Sequence, residues 1–154
     1  MRDTFSTPIG ELILDASERG LRACGTWTKR ALAPDDSPAA QRHLDQARDA
    51  LGEYFRGERS DFAELCLAPE GTPFQLAVWT ALRKIRHGTS LSYAELARRI
   101  GRPGAFRAVG GANAKNPIGI IQPCHRVIGS DGALVGFAGG LGIKEWLLRH
   151  EGVI

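Results

Sequence analysis

Cysteine is scarce in this 154-residue chain: Cys24, Cys66 and Cys124 are widely spaced, odd in number and never form a Cys-x-x-Cys pair. That pattern argues against both a disulfide framework and a thiolate metal site, so free thiols and no bound metal are expected. Long apolar runs are missing too. None approaches the roughly 20 residues that a membrane helix needs, and Met1-Arg2-Asp3-Thr4 opens no stretch resembling a signal peptide. No membrane partner is expected, and the expected compartment is the cytoplasm. The glycine-rich run from Gly136 to Gly140 lacks the Lys-Ser/Thr of a phosphate loop, which disfavours nucleotide binding. There is no internal repeat and no low-complexity tract. With 43% hydrophobic and 24% charged residues, the composition is that of a globular protein with a packed core.

Charge is unevenly spread. Residues 1 to 71 carry 9 Lys/Arg against 13 Asp/Glu, a net −4, and residues 72 to 154 carry 11 against 4, a net +7. A basic half joined to an acidic half points to a polyanion facing the basic side, with nucleic acid the leading candidate. The change of sign coincides with Pro69-Glu70-Gly71, the expected boundary between an N-terminal domain (1–70) and a C-terminal domain (71–154).

In the first part, Thr7-Pro8-Ile9-Gly10 and Glu18-Arg19-Gly20 are turn signals. They separate short alternating runs around Leu12 and Leu14 and from Leu21 to Trp27, which predicts a small antiparallel sheet. Leu44, Ala47, Leu51, Tyr54 and Phe55 recur at helical spacing between Ala39 and Gly57. A further strand is predicted over 62–67, with Cys24 and Cys66 read as core residues. In the second part, Thr72-Pro73-Phe74-Gln75 is a capping box that opens a helix running to about Ile85, with Trp79 read as core.

Ser92-Tyr93-Ala94-Glu95 opens a short helix that Gly101 stops, and another carries Phe106, Arg107, Val109 and Ala112. Two helices across a short glycine-containing turn form a helix-turn-helix pattern. Ala105, Ala108, Gly110, Gly111 and Ala112 leave the second of these helices almost without bulk. Such a helix packs closely on a neighbour or lies in a groove with only Arg107 projecting. Gly129-Ser130-Asp131-Gly132 predicts a hairpin turn between Val127-Ile128 and Ala133-Leu134-Val135, and a last helix from Ile143 delivers Glu151 at its end.

Between these elements, Gln122-Pro123-Cys124-His125-Arg126-Val127 concentrates a thiol, an imidazole and a guanidinium in three consecutive residues. A cysteine attacks as its thiolate, and a cationic or base-bearing neighbourhood lowers its pKa from about 8.5. His125 and Arg126 are the candidates for that neighbourhood, and Cys124 is the candidate nucleophile. The bland alternative is a buried structural cysteine beside two solvated polar residues.

Taken in order, Thr7 to Gly10, Gly71-Thr72-Pro73-Phe74-Gln75, Val78-Trp79, Ser92-Tyr93, Arg107-Ala108-Val109-Gly110, Asn116-Pro117, Pro123 to Val127 and Lys144-Glu145-Trp146-Leu147-Leu148 form a specific set. Over essentially its full length the chain resembles the methylated-DNA–protein-cysteine methyltransferase (alkylguanine-DNA alkyltransferase) family. The resemblance implies an α/β fold class: a small N-terminal ribonuclease-H-like antiparallel sheet with a helix, then a mainly helical C-terminal domain with a helix-turn-helix. It implies a DNA-repair alkyltransferase that flips 6-O-alkylguanine out of double-stranded DNA and transfers the alkyl group irreversibly to Cys124, once per molecule. Alkylated thymine is a further candidate substrate. No cofactor is implied, and a monomer is expected.

By the same resemblance His125 acts as base through a water, Glu151 orients it, and Asn116 ties the recognition helix to the cysteine segment. Tyr93 pushes on the phosphate during rotation of the nucleotide, and Arg107 replaces the departed base. Ala108, Arg102 and Ser130 fall where DNA contacts are expected, and Phe137, Val127, Ala138 and Gly139 wall the pocket. Two departures stand out. Gln122 occupies a position that is usually aliphatic in the family, where it either brings an extra amide near the thiol or faces solvent. Phe137 stands where many relatives have Tyr, with one fewer hydroxyl donor to the base. Some relatives hold a structural zinc, but Cys24 with His43 or His87 offers too few ligands here.

Three rival readings fit less well. Lesion-recognition proteins of the alkyltransferase-like kind lack the nucleophile. A thiol hydrolase built on Cys124, His125 and Glu151 needs an oxyanion loop that the sequence does not supply. A sequence-specific regulator needs bidentate donors that the smooth helix does not offer.

Overall fold

The structure is a computed structural model that describes residues 1–26, 32–132, 134, 137 and 140–154. It divides into two compact units, Met1–Glu70 and Gly71–Ile154. In the first, β1 (Arg2–Thr7), β2 (Gly10–Ser17) and β3 (Gly20–Gly25) form an antiparallel sheet in the order β1-β2-β3. The β1–β2 turn closes because Thr7 Oγ1 donates to Gly10 O (2.6 Å) and accepts from Ile9 N (3.2 Å). Gly10 takes a φ of 108°, open to glycine. β1 is mostly exposed, whereas every residue of β3 is buried.

Helix α1 (Pro38–Phe55) lies on this sheet. It starts at Ser37, whose hydroxyl accepts from Ala40 N (3.1 Å), with Pro38 in the first turn. Leu44, Ala47, Leu51 and Tyr54 form its buried stripe, and they meet Leu12, Leu14, Leu21 and Cys24 as buried residues of the unit.

Residues 62–67 differ from the expected strand. Phe62 and Leu65 are buried, but they bracket a turn in which Leu65 N donates to Phe62 O (3.1 Å) and Ala63 N to Asp61 Oδ1 (3.0 Å). Only Leu67 pairs, through an isolated parallel bridge to Leu21. A local turn at Asp61 thus buries Phe62 and Leu65 without an extended strand. As a result Cys66 is exposed rather than a core residue, while Cys24 is buried as expected.

The second unit is mainly helical. Helix α2 (Pro73–Leu82) begins with the full capping box: Thr72 Oγ1 accepts from Gln75 N and Gln75 Oε1 accepts from Thr72 N. It buries Val78, Trp79 and Leu82, and the Trp79 indole donates to Ala112 O (2.8 Å). A Cβ on Gly71 would come within 2.6 Å of the Trp79 ring, so only glycine allows this close approach. Beyond α2, tight turns at Lys84 and Ile85 carry the chain to β4 (Leu91–Ser92), so the helix is shorter than expected.

Helix α3 (Tyr93–Arg99) is capped by Ser92, stops at Gly101 with φ 76°, and is followed by α4 (Phe106–Ala114). The pair α3–α4 forms the helix-turn-helix, with α4 packed on α2 and α3. The short strand β5 (Val127–Ile128) pairs in parallel with β4. It is followed by a turn in which Gly132 N donates to Gly129 O (2.9 Å). The expected second arm of that hairpin includes Ala133 and Val135, which lie outside the described residues. Helix α5 (Leu141–His150) ends at Glu151. The core gathers Val78, Trp79, Leu82, Leu96, Val109 and Val127, with Cys124 among them.

Candidate active site

Cys124, His125 and Arg126 form a single 3-10 turn between an irregular loop (115–123) and β5, and all three are buried. His125 donates from Nε2 to Glu151 Oε2 (2.7 Å). An ionised carboxylate only accepts, which fixes the ring hydrogen on Nε2 and leaves Nδ1 as the basic nitrogen. Nδ1 is buried without a hydrogen-bond partner among the described residues. The site therefore holds an imidazole oriented by a carboxylate with its lone pair directed inward.

Arg126 turns away from the thiol. Its Nε and Nη2 donate to the two Glu151 oxygens (2.7 and 3.1 Å), and Nη1 donates to Ile85 O (2.6 Å). Burial alone would raise the Glu151 carboxyl, but hydrogen bonds and charge from His125 and Arg126 outweigh it and hold the group well below the usual carboxylate range. Burial depresses His125, against the pull of Glu151, so the ring rests neutral. Of the expected cationic or base-bearing neighbourhood, His125 is thus present as a neutral imidazole, while the charge of Arg126 is engaged by Glu151.

The cation that acts on the sulfur is Lys144, on α5. Its side chain is fully buried, and Nζ donates to Val127 O (2.5 Å). Burial brings its pKa down to about 8, opposed by the Cys124 charge. Burial also pushes the Cys124 thiol above its ordinary value, while a side-chain hydrogen bond from Asn116 and the charge of Lys144 work the other way. Cys124 therefore rests as a protonated thiol, next in sequence to the neutral, carboxylate-oriented imidazole of His125.

The loop that carries Cys124 is pinned by Asn116. Its Nδ2 donates to Gln122 O (2.7 Å), and its Oδ1 accepts from Ile118 N (3.1 Å) and from Gln122 Nε2 (2.7 Å). Gln122 is buried, which settles the two expectations for it against solvent. Asn113, on α4, donates from Nδ2 toward Cys124 O (3.4 Å) and hydrogen-bonds the Tyr93 side chain. Its Oδ1 is a second buried acceptor without a partner among the described residues. Burial raises the half-buried Tyr93 phenol, and the nearby Cys124 charge adds to that.

Cys124, His125, Glu151 and Asn116 are therefore brought together, with Tyr93 linked through Asn113. Phe137 packs against the same core, and Val127 is fully buried behind the thiol, its carbonyl engaged by Lys144. Arg102, Arg107, Ala108 and Ser130 lie on the exposed surface. Ala138 and Gly139 lie outside the described residues. Sequence reasoning missed Lys144, Asn113 and the tie between Gln122 and Asn116. Of these only Lys144 gave a signal, as a charged residue one turn ahead of the apolar pair Leu147-Leu148. Among the described residues no group of His, Cys, Asp or Glu could hold a metal ion.

Comparisons with known proteins bear on this arrangement. The sequence model described as the DNA binding domain of 6-O-methylguanine DNA methyltransferase matches residues 73–153, and the one described as its ribonuclease-like domain matches residues 1–69. The methylated-DNA–protein-cysteine methyltransferase of Methanosarcina acetivorans is 47% identical over 150 residues, covering 96% of each chain. The constitutive enzyme of that name from Bacillus subtilis is 43% identical over 154 residues, covering 96% of this chain and 93% of its own. The crystal structure of Mycobacterium tuberculosis OGT in complex with DNA superposes with a TM-score of 0.86 at 43% identity, covering 97% of this chain and 91% of that one. Full-length matches in sequence and in fold place this chain in the methylated-DNA–protein-cysteine methyltransferase family.

Proposed function

We propose that this protein repairs alkylated DNA by taking the alkyl group from the exocyclic oxygen of 6-O-alkylguanine onto the sulfur of Cys124. The observation that carries the proposal is the buried base at His125 Nδ1, oriented through Nε2 by Glu151 and adjacent in sequence to a buried thiol. The thiol proton passes to the imidazole, and the thiolate displaces guanine at the alkyl carbon. The S–C bond forms as the C–O bond breaks, the electron pair goes to the guanine oxygen, and the base leaves as guanine after taking up a proton. Glu151 balances the imidazolium, and Lys144 faces the developing thiolate.

An alkylated base inside a duplex is out of reach of a buried sulfur, so it must be rotated out at a cost of a few kcal/mol. In this reading α4 enters the minor groove, with Arg107 filling the gap in the stack, Tyr93 at the rotated phosphate, and Ala108, Arg102 and Ser130 along the backbone. Phe137 is the described wall of the pocket, with Ala138 and Gly139 as further candidates. Residues 1–70 form the ribonuclease-like domain, and 71–154 the DNA-binding, alkyl-accepting one. The thioether product has no easy hydrolytic exit, so each molecule reacts once.

Intact-mass spectrometry after mixing with a duplex holding one 6-O-methylguanine tests the proposal, with Cys124→Ser alongside. The expected result is a gain of one methyl per molecule, lost in the variant. No mass change while duplex binding persists would replace the reading by a lesion sensor.

A further inference from the structure

The loop from Asn116 to Cys124 is under local strain. Ile120 is β-branched yet takes a φ of 70°, a left-handed conformation that costs such a residue roughly 1–3 kcal/mol and persists only where its surroundings over-determine it. What holds the loop is a two-point tie between the side chains and backbones of Asn116 and Gln122. Asn116 Nδ2 donates to the Gln122 carbonyl, and Gln122 Nε2 donates back to Asn116 Oδ1, each at 2.7 Å. The polarity of this pair is not arbitrary. Ile118 N is a donor and must meet Oδ1, and the Gln122 carbonyl is an acceptor and must meet Nδ2, so Gln122 has to present its amide nitrogen. Both residues are nine-tenths or more buried, where such bonds are strengthened by the low dielectric.

The same Gln122 carbonyl accepts from Cys124 N (2.7 Å), and the Asn116 side chain works to lower the Cys124 thiol against the effect of burial. Oδ1 of Asn116 thus receives two donors while Nδ2 donates to the Gln122 carbonyl. Donors at an amide oxygen polarise the amide and strengthen its N–H as a donor.

We infer that Gln122 is a positioning residue for the nucleophile: its side chain fixes and polarises the Asn116 amide, and through it stabilises the Cys124 thiolate. The inference rests on the proposed function for its purpose but not for its measurement. An aliphatic residue at 122 would leave Asn116 Oδ1 with one donor and the strained loop with one tie fewer.

Gln122→Met keeps the length of the side chain and removes the donor. The rate of Cys124 alkylation by iodoacetamide is followed against pH, with peptide-resolved mass spectrometry reading Cys24 and Cys66 separately. Alkyl transfer from a duplex holding 6-O-methylguanine is followed in parallel. The expected result is a Cys124 titration moved up by roughly half to one pH unit, with both reactions about three- to tenfold slower below the midpoint and an unchanged alkaline plateau. In an Asn116→Ala background Gln122→Met should add nothing further, because the two act as one unit. A folded variant with an unmoved titration overturns the inference. So does a lower plateau without a shift, the mark of mere packing damage. Should Gln122→Met fail to fold, Gln122→Ile carries the same measurement. A wild type that titrates as expected but takes no alkyl group from DNA contradicts the proposed function and leaves the role of Gln122 standing.

Discussion

Replacing Glu151 by glutamine separates charge from shape at the centre of the site. The amide still offers an oxygen to His125 Nε2, but it no longer balances an imidazolium and it leaves Arg126 buried without its counter-charge. General-base contributions are typically 10²–10⁴-fold, so single-turnover transfer should fall at least about a hundredfold. Breaking a buried pair by removing one partner costs about 3 kcal/mol, which urea unfolding would read directly. A variant that loses stability but transfers at the normal rate would confine Glu151 to a structural role. Cys124 and His125 were legible because a thiol next to an imidazole is chemically rare. The employment of Arg126 was not, since only folding brings Glu151 to it from 25 residues away. Lys144 and the tie of Gln122 to Asn116 escaped for a related reason: lysine and glutamine are residue types that ordinarily face solvent, and nothing in a linear sequence says that a loop or helix turns them inward.

At the scale of the element, α4 raises the question of why a helix should be so bare. Packing answers part of it: a Cβ on Gly110 would sit 3.7 Å from the Tyr93 ring, in ordinary contact. Gly111 is different. A Cβ there meets nothing within 4 Å, and Ala108 and Arg107 are exposed beside it, so nothing described within the fold demands a small residue on that face. Gly111→Ala should then stabilise the protein by roughly 0.5–1 kcal/mol by removing backbone freedom from a helix interior. Gly111→Gln should keep the melting temperature and the iodoacetamide reactivity of Cys124, yet weaken duplex binding about tenfold or more, read by fluorescence anisotropy. Normal duplex affinity in Gly111→Gln would remove α4 from the interface. Helices α2 and α3 were legible through their caps, Thr72 and Ser92, whose hydroxyls each accept the backbone hydrogen bond that starts a helix, whereas α1 was legible through its apolar period and its cap, Ser37, was not read. The stretch 62–67 misled because a short apolar run can bury its side chains from a turn as well as from a strand when an aspartate supplies the local hydrogen bond.

For the whole molecule, the buried ionisable groups of the site set how stability depends on pH. Stability rises with pH wherever the unfolded chain binds more protons than the folded one. Three groups act in that sense. Glu151 is held below its ordinary 4.5, so its contribution is present above that value and is lost as pH falls through the folded one. His125 is depressed below 6.5, so acidification first protonates the unfolded chain and draws the equilibrium toward it. Lys144 is brought from 10.5 to about 8, so stability gains between those two values as the folded protein sheds a proton that the unfolded chain keeps. Cys124 and Tyr93 act in the opposite sense. Both are raised above their ordinary 9.0 and 10.0, so the unfolded chain ionises first and stability falls once pH passes those values. The two sets cross on the alkaline side of neutrality. Urea unfolding should therefore show a maximum at about pH 9–10, with stability falling from there toward pH 8 as Lys144 takes up its proton and falling again below about pH 6.5 through His125. Lys144→Met should flatten the rise above pH 8 and leave the acid limb in place, whereas Glu151→Gln should keep that rise and remove the loss of stability that sets in below about pH 4.5. A maximum at pH 6 or below would mean that neither His125 nor Lys144 is depressed as its burial requires.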